Sequence, residues 1–537
     1  MKVIYLKDGK TYSTSITNED LSCSRVTSLD RKTVTVTAKT DIELVKVTDS
    51  IPFSVNFKDR YFLNGYQSWT DTKEYSLHNR LRNIKKSPHI ITKMFAMRAY
   101  GDSLFYDYSI RKMHGYDVFY SKGYYESFVF NLNYKNAYLL IELIKGKKDL
   151  FLTSDVKGMS LKEGQSAVVL DYYFTDNYEI GLDAFNTYFP AKNTPKLFGY
   201  TSWYNHYQNI NEETLLTDLG SLDKRFDLFQ IDDGYQTFVG DWLDINKEKF
   251  PNELGYLVEK IHSKGLKAGI WLAPFVAEKN SKLFKEHNDW IKKDSKGKLV
   301  RAGGNWSGQY ALDFDNNEVR EYIKKCLERY IIVGFDFFKL DFLYAVGIVP
   351  SKGKTRCQTQ REAYEFLRKI LKDKIILGCG ANIVNSIGNF DYVRVGPDVS
   401  LDFDDKFYMR LFHRERISTK VTVQNTIFRH LFDKRFFGND PDVFILRKEN
   451  NNMSKEQRIA LSTINALFGS ILMTSDNIVL YSERKKPIFE RILDLFRNGK
   501  VTYFYQKKQS IYVDYTIDGK NYQFAYNTKK GVFEYDR

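Results

Sequence analysis

Phe337-Phe338-Lys339-Leu340-Asp341-Phe342 and Tyr392-Val393-Arg394-Val395-Gly396-Pro397-Asp398, whose aspartates stand 57 residues apart, are apolar, strand-like runs that end on a carboxylate with a cation earlier on the same strand. A buried strand has no packing reason to finish on Asp, and burying a carboxylate with a cation is costly unless the two are paired. Runs of this kind recur through the middle of the chain, at Leu197–Ser202, Phe226–Ile231, Lys267–Leu272, Phe335–Leu340, Lys374–Gly378, Tyr392–Val395, Val421–Asn425 and Ser470–Thr474. Amphipathic helical patterns lie between them, among them one from Glu212, one over Leu254–Ser263 and one over Gln360–Leu371. Repeated βα units over about 300 residues predict a central (β/α)8 TIM barrel.

Working outward, the region before residue 185 reads as strands. Thr33-Val34-Thr35-Val36-Thr37, Ser127-Phe128-Val129-Phe130-Asn131-Leu132 and Ala167-Val168-Val169-Leu170-Asp171-Tyr172 alternate or are β-branched, which predicts a sandwich. After residue 500 strands return, and Asp518-Gly519 is a hairpin turn signal. The expected organisation is a multidomain α/β and β chain: an N-terminal β-sandwich over 1–190, a catalytic barrel over 191–495 and a small C-terminal antiparallel β-domain over 496–537.

The 537 residues carry a hydrophobic fraction of 43% and a charged fraction of 28%, the balance of a globular protein. The net charge of +14 raises nucleic acid as a partner, but no Lys/Arg block is longer than three and no zinc-finger or RNA-binding signature appears, so none is expected. Cys23, Cys326, Cys357 and Cys379 are scattered without a CxxC pair, which argues against a disulfide framework or structural zinc. No apolar run reaches membrane-spanning length, and the N-terminus lacks a signal-peptide core; a cytoplasmic protein without a membrane partner is expected.

In a barrel of this type the site lies at the C-terminal ends of the strands. Those ends carry Ser202-Trp203-Tyr204, Asp232-Asp233-Gly234-Tyr235, Trp271-Leu272-Ala273-Pro274, Lys339-Leu340-Asp341, Gly378-Cys379-Gly380 and Arg394 through Asp398. Each could be a turn or a cap, yet together they set acids, cations and tryptophans on one rim. Two carboxylates meeting there are the minimal equipment of a retaining glycosidase, in which one attacks the sugar and the other moves the proton. Lys339 shares a strand face with Asp341 and could hold it ionised. Asp402, Asp404 and Asp405 read as a solvated loop rather than a metal site, and His206 is the one histidine near the proposed rim. No HExxH, P-loop, GxSxG or dinucleotide fingerprint is present, so neither metal nor cofactor is expected.

Taken together, Asn64-Gly65-Tyr66-Gln67-Ser68-Trp69, Gly199 to Tyr204, Gln230 to Tyr235, Gly269-Ile270-Trp271-Leu272-Ala273-Pro274-Phe275, Phe338 to Phe342, Leu377 to Gly380 and Arg394 to Asp398 resemble the α-galactosidases (melibiases) of glycoside hydrolase family 36. The resemblance implies an N-terminal β-supersandwich, a barrel and a small C-terminal sheet. It also implies that Asp341 is the nucleophile, Asp398 the acid/base, and Asp232 and Asp233 acceptors for O4 and O6 of galactose. Lys339 would bind ring hydroxyls and Arg394 would lie near O2. Cys379 and Gly380 would border O2 and leave little room for an N-acetyl group. Trp203, Tyr204 and Trp271 would be walls, and Trp69 would reach in from the N-terminal domain.

The expected activity is that of a retaining exo-α-galactosidase acting on α-galactoside oligosaccharides or glycoconjugates, with oligomeric state open. The alternatives are an α-galactosyl transglycosylase, an α-N-acetylgalactosaminidase and a non-catalytic carbohydrate-binding protein. One departure from the family pattern is Ala381-Asn382-Ile383, where the family usually has a small residue followed by Pro-Leu. The loop Arg301-Ala302-Gly303-Gly304-Asn305-Trp306 carries no assignment beyond an aglycone contact.

Overall fold

The computed structural model describes residues 1–84, 89–404 and 413–536. Two seven-stranded antiparallel sheets make the N-terminal part. Their facing sides hold one apolar core, into which Val34 and Val36 of the Arg31–Ala38 strand point alternately with half-buried threonines.

The all-strand expectation ends early, because Tyr178–Tyr188 is a helix capped by the Asn177 side chain on Ile180 N. This helix couples the sandwich to the barrel region. Phe185 packs on Phe128 and Phe130 on one side and on Phe436 on the other, with ring centroids 5.5 to 5.8 Å apart.

The central sheet has nine strands, every neighbouring pair parallel, in the order Gly438–Asp440, Tyr392–Arg394, Ile375–Gly378, Phe337–Leu340, Lys267–Leu272, Leu228–Ile231, Leu197–Thr201, Ile471–Thr474 and Val443–Phe444. The two edge strands are consecutive in the chain and separated only by Pro441 and Asp442. The sheet therefore curls until a single interrupted stave serves both edges. Helices such as Glu253–Ser263, Asn317–Val333 and Arg356–Leu371 cover the outside. Their ends are marked by the sequence: a Thr355–Gln358 capping box opens Arg356–Leu371, and Gly334 at φ 109° closes Asn317–Val333.

One expected stave is corrected. Val421–Asn425 is not a strand but lies inside the Thr419–Phe428 helix, opened by the Ser418 side chain on Val421 N. Nearly every residue of this helix is buried, so its sequence has no polar face to reveal a helical period. The missing stave is the broken Gly438–Phe444 segment, too short and too interrupted by proline to show an alternation.

The C-terminal part is a four-stranded antiparallel meander, Lys500–Lys507, Ser510–Ile517, Lys520–Asn527 and Val532–Asp536. Asp518 and Gly519 both take positive φ, 47° and 77°, as the two-residue hairpin turn requires. Phe504 anchors the meander on Phe428 and Phe468. No helix among the described residues is long and apolar enough to cross a membrane.

Candidate active site

Asp341 follows the last residue of the Phe337–Leu340 strand, and its main-chain N–H still donates to Leu272 O of the neighbouring stave at 2.8 Å. Phe342 then turns the chain with φ 54°, an unfavourable left-handed conformation for an aromatic residue. That turn aims the Phe342 N–H at Asp341 Oδ1 (2.7 Å), while Trp271 Nε1 donates to Oδ2 (3.1 Å). The carboxylate is thus fixed by two donors from two staves.

Lys339 is buried and donates to Asp232 Oδ2 at 2.7 Å, not to Asp341. Burial disfavours its charge, but the facing Asp232 outweighs this and holds the ammonium above its ordinary range. Asp232 Oδ2 also accepts from Gln230 Nε2 (2.8 Å), and Asp232 Oδ1 from Asp233 N (2.9 Å). Asp233 is ringed by side-chain donors: Gln236 Nε2 at 2.6 Å, Gln208 Nε2 at 2.9 Å and Trp306 Nε1 at 3.0 Å. Burial nevertheless pushes its carboxyl upward, with the Asp232 charge adding to the effect. The loop that sequence left unassigned therefore supplies a ligand of Asp233.

Arg394 is buried among three carboxylates. Nε donates to Asp440 Oδ2 at 2.8 Å and Nη1 to Asp398 Oδ1 at 3.1 Å, while Nη2 stands 2.9 Å from Asp442 Oδ1 as an ion pair without hydrogen-bond alignment. The Asp398 carboxyl lies deep among protein atoms, yet 37% of the side chain is accessible, so it faces an opening. Burial raises its pKa, Arg394 opposes, and the negative charge of Asp341 adds to the rise. That coupling brings the two strand-end acids into one electrostatic site.

Rings close the rim. Trp271 lies 5.7 Å from Trp242 and 6.2 Å from Trp306, which in turn contacts Phe342 at 5.4 Å. Trp69 continues the arc, 5.5 Å from both Phe342 and Tyr344. Trp203 is half-buried against Tyr207, and the Tyr204 hydroxyl donates to Asp442. A β-carbon on Gly380 would stand 3.1 Å from the Trp69 ring, so Cys379-Gly380 and Trp69 fit tightly together. His206 is held by Asp218 at 2.6 Å.

Trp69 is placed by contacts that sequence did not signal. Ser68 N donates to Ala381 O at 2.8 Å and Asn382 Nδ2 to Tyr66 O at 2.6 Å. The departure at Ala381-Asn382-Ile383 is thus the seat of the Asn64–Trp69 segment. From the other side the fully buried Arg429 donates to Gln67 O, Ser68 O, Asn64 Oδ1 and Val395 O. Arg429, Asp440, Asp442, Gln208 and Gln236 all lie outside the motifs, on helices, loops or the broken stave.

Among the described residues no group of three or more His, Cys, Asp or Glu side chains is arranged to hold a metal. Asp402 accepts from Asn452 and Asp404 from Ser418, while Asp405 lies outside the described residues. A cavity of about 490 Å³ opens elsewhere, between sandwich and barrel, lined by Asn136, Ser160, Lys354 and Glu362 among others; none of the site carboxylates borders it.

A curled parallel barrel carries acids, cations and aromatic rings at the C-terminal ends of its strands, the rim where barrel enzymes place their sites. Residues 185–372 match the melibiase family model. The chain is 30% identical over 150 residues to α-galactosidase Mel36A of Lactobacillus acidophilus, covering 26% of this chain and 19% of that protein. It is 27% identical over 195 residues to α-galactosidase 1 of Pediococcus pentosaceus, covering 33% and 26%. The matched stretches thus span about a fifth to a quarter of these curated relatives. The α-galactosidase TtGalA of Thermus thermophilus, solved with stachyose, superposes with a TM-score of 0.68 at 27% identity over 88% of this chain and 99% of that one. The chain is thus similar in sequence, over part of its length, to α-galactosidases, and similar in fold to solved α-galactosidases, among them one of glycoside hydrolase family 36 from Geobacillus stearothermophilus.

Proposed function

We propose that the chain is a retaining exo-α-galactosidase. Asp341 attacks the anomeric carbon and forms a β-galactosyl ester as the C1–O bond to the leaving group breaks. Asp398 gives its proton to the departing oxygen, then takes one from the water that opens the ester, so that the product keeps the α configuration. The observation that carries this reading is the unequal treatment of the two acids: Asp341 accepts from Trp271 Nε1 and the Phe342 N–H, whereas Asp398, paired with Arg394, is nevertheless raised by burial and by Asp341.

Asp232 and Asp233, oriented by Lys339, Gln230, Gln208, Gln236 and Trp306, are read as acceptors for O4 and O6, and Lys339 as a donor to a ring hydroxyl. Arg394, Cys379 and Gly380 are assigned to the O2 side, with Gly380 packed closely against Trp69. Trp69, Trp203, Tyr204 and Trp271 form the walls. Substrates of the reading are terminal α-galactosyl oligosaccharides, the class bound by the Thermus relative. The four unpaired cysteines suit a reducing, cytoplasmic setting.

The test is turnover of a panel of α-galactosides and α-N-acetylgalactosaminides, with the anomer of the first-formed product read by NMR. Release of α-galactose from the galactosides supports the reading. A β product, or no turnover, overturns it.

A further inference from the structure

The broken stave brings a carboxylate to the site that no motif carries. Asp442 takes φ 72°, a left-handed conformation unfavourable for a non-glycine residue, so its surroundings must hold it there. Its own N–H donates to Asp440 Oδ1 at 2.8 Å. Its Oδ2 accepts from the Tyr204 hydroxyl and, at 2.7 Å, from the N–H of Val399, the residue directly after Asp398. Its Oδ1 pairs with Arg394, whose Nη1 binds Asp398. A closed circuit results: Asp398 carboxyl, Arg394, Asp442, Val399 N–H, and back to the main chain of Asp398.

We propose that Asp442 is a positioning residue for Asp398: it fixes the main chain that carries the acid and withholds part of the Arg394 charge from the acid's carboxyl. This rests on the acid/base role proposed for Asp398. Two cations, Arg394 and Lys339, face five carboxylates here, Asp232, Asp341, Asp398, Asp440 and Asp442. Such an imbalance in a buried site favours retained protons. Burial pushes Asp442 up to about 7, with Arg394 pulling it down and Asp398 and Asp440 adding to the rise. Tyr204 faces it from the short Trp203–His206 helix, and Arg447 Nη2 donates to the Tyr204 carbonyl at 2.5 Å, so among the described residues the cation paired with Asp442 is Arg394.

The test compares kcat/KM, which reports galactosyl transfer to the enzyme, for a nitrophenyl and a methyl α-galactoside across pH. The methoxide leaving group needs the proton; the nitrophenolate hardly does. In Asp442→Asn the methyl glycoside is expected to lose about 100-fold and the nitrophenyl glycoside less than about fivefold, with the alkaline limb moved to lower pH because Arg394 now favours ionised Asp398. Equal losses on both substrates, or unchanged values with an unmoved limb, would overturn the proposal. Tyr204→Phe removes one hydroxyl and is expected to show the same leaving-group bias in weaker form; if Asp442→Asn does not fold, an unbiased Tyr204→Phe overturns the proposal. A wild-type protein inert toward both substrates defeats the acid/base reading itself, which separates the two failures.

Discussion

Lys339 Nζ lies 2.7 Å from Asp232 Oδ2, on the neighbourhood of a different stave, although Asp341 is only two positions further along its own strand. The strand ends at Leu340, and the left-handed turn at Phe342 gives Asp341 its own donors. Lys339 is left to fix the acid that is read as gripping the sugar rather than the acid that is read as attacking it. Attack and recognition are thereby served by separate donors, so each can be removed without the other.

Asp341→Asn is expected to fold as the wild type and to lose roughly 10⁴-fold or more in kcat on an aryl α-galactoside. Azide added to Asp341→Gly is expected to give β-galactosyl azide. Retained turnover, or an α-linked azide from that variant, would remove Asp341 as nucleophile.

For Asp398→Ala the opposite product is expected. An activated aryl galactoside still forms the ester, and azide then attacks it to give α-galactosyl azide, while an alkyl galactoside loses about 100-fold or more. A leaving-group-independent loss would count against Asp398 as the proton donor.

Trp306→Phe keeps the ring against Phe342 and Trp271 but deletes the donor to Asp233. One hydrogen bond to a charged group corresponds to about 1.5 kcal/mol or more, so KM should rise about tenfold with kcat much less affected. Steady-state kinetics with a galactoside and its 6-deoxy analogue check this. The effect should shrink with the analogue if Asp233 serves O6.

Arg429→Met removes the donor shared by Asn64, Gln67, Ser68 and Val395. Because buried acceptors are left unpaired, a loss of about 3 kcal/mol or more in stability is expected, together with a lower kcat/KM through a displaced Trp69. Denaturant unfolding and kinetics on the same preparation test both. Loss of stability with unchanged kinetics would uncouple Trp69 from this clamp.

Asp117 is buried, accepts from Leu139 N and Asn131 Nδ2, and is pushed up to about 7 by burial. Its folded pKa exceeds the unfolded value of about 3.9, so its contribution to stability is full below pH ~4 and is lost as pH rises through about 7. Asp117→Asn removes that loss. Its apparent Tm relative to wild type should therefore climb between pH 5 and pH 8, and a pH-independent difference would exclude the effect.

Much of the candidate site was legible because its residues stand at the ends of strands, where an acid after an apolar run has no packing explanation. Asp341, Asp398, Asp232 and Asp233 carry that signal. Trp306, Asp442 and Arg429 do not: a tryptophan in a glycine-rich loop, an aspartate after proline and an arginine on a helix are ordinary locally. Their meaning arises only when a loop, a broken stave and a helix converge. The Thr419–Phe428 helix was misread for a related reason, since a helix buried on all sides shows no period.

Sequence alone determined the order of sandwich, barrel and terminal sheet, because alternation, helical period and turn residues are local properties of the chain. It also determined which acids stand on the rim. Only the tertiary structure decided which cation faces which acid, that Asp442 joins Arg394 to the chain of Asp398, and how Trp69 is held. Those pairings depend on how the staves curl and where the sheet closes, a balance of burial and charge among residues up to hundreds of positions apart, which no local pattern encodes.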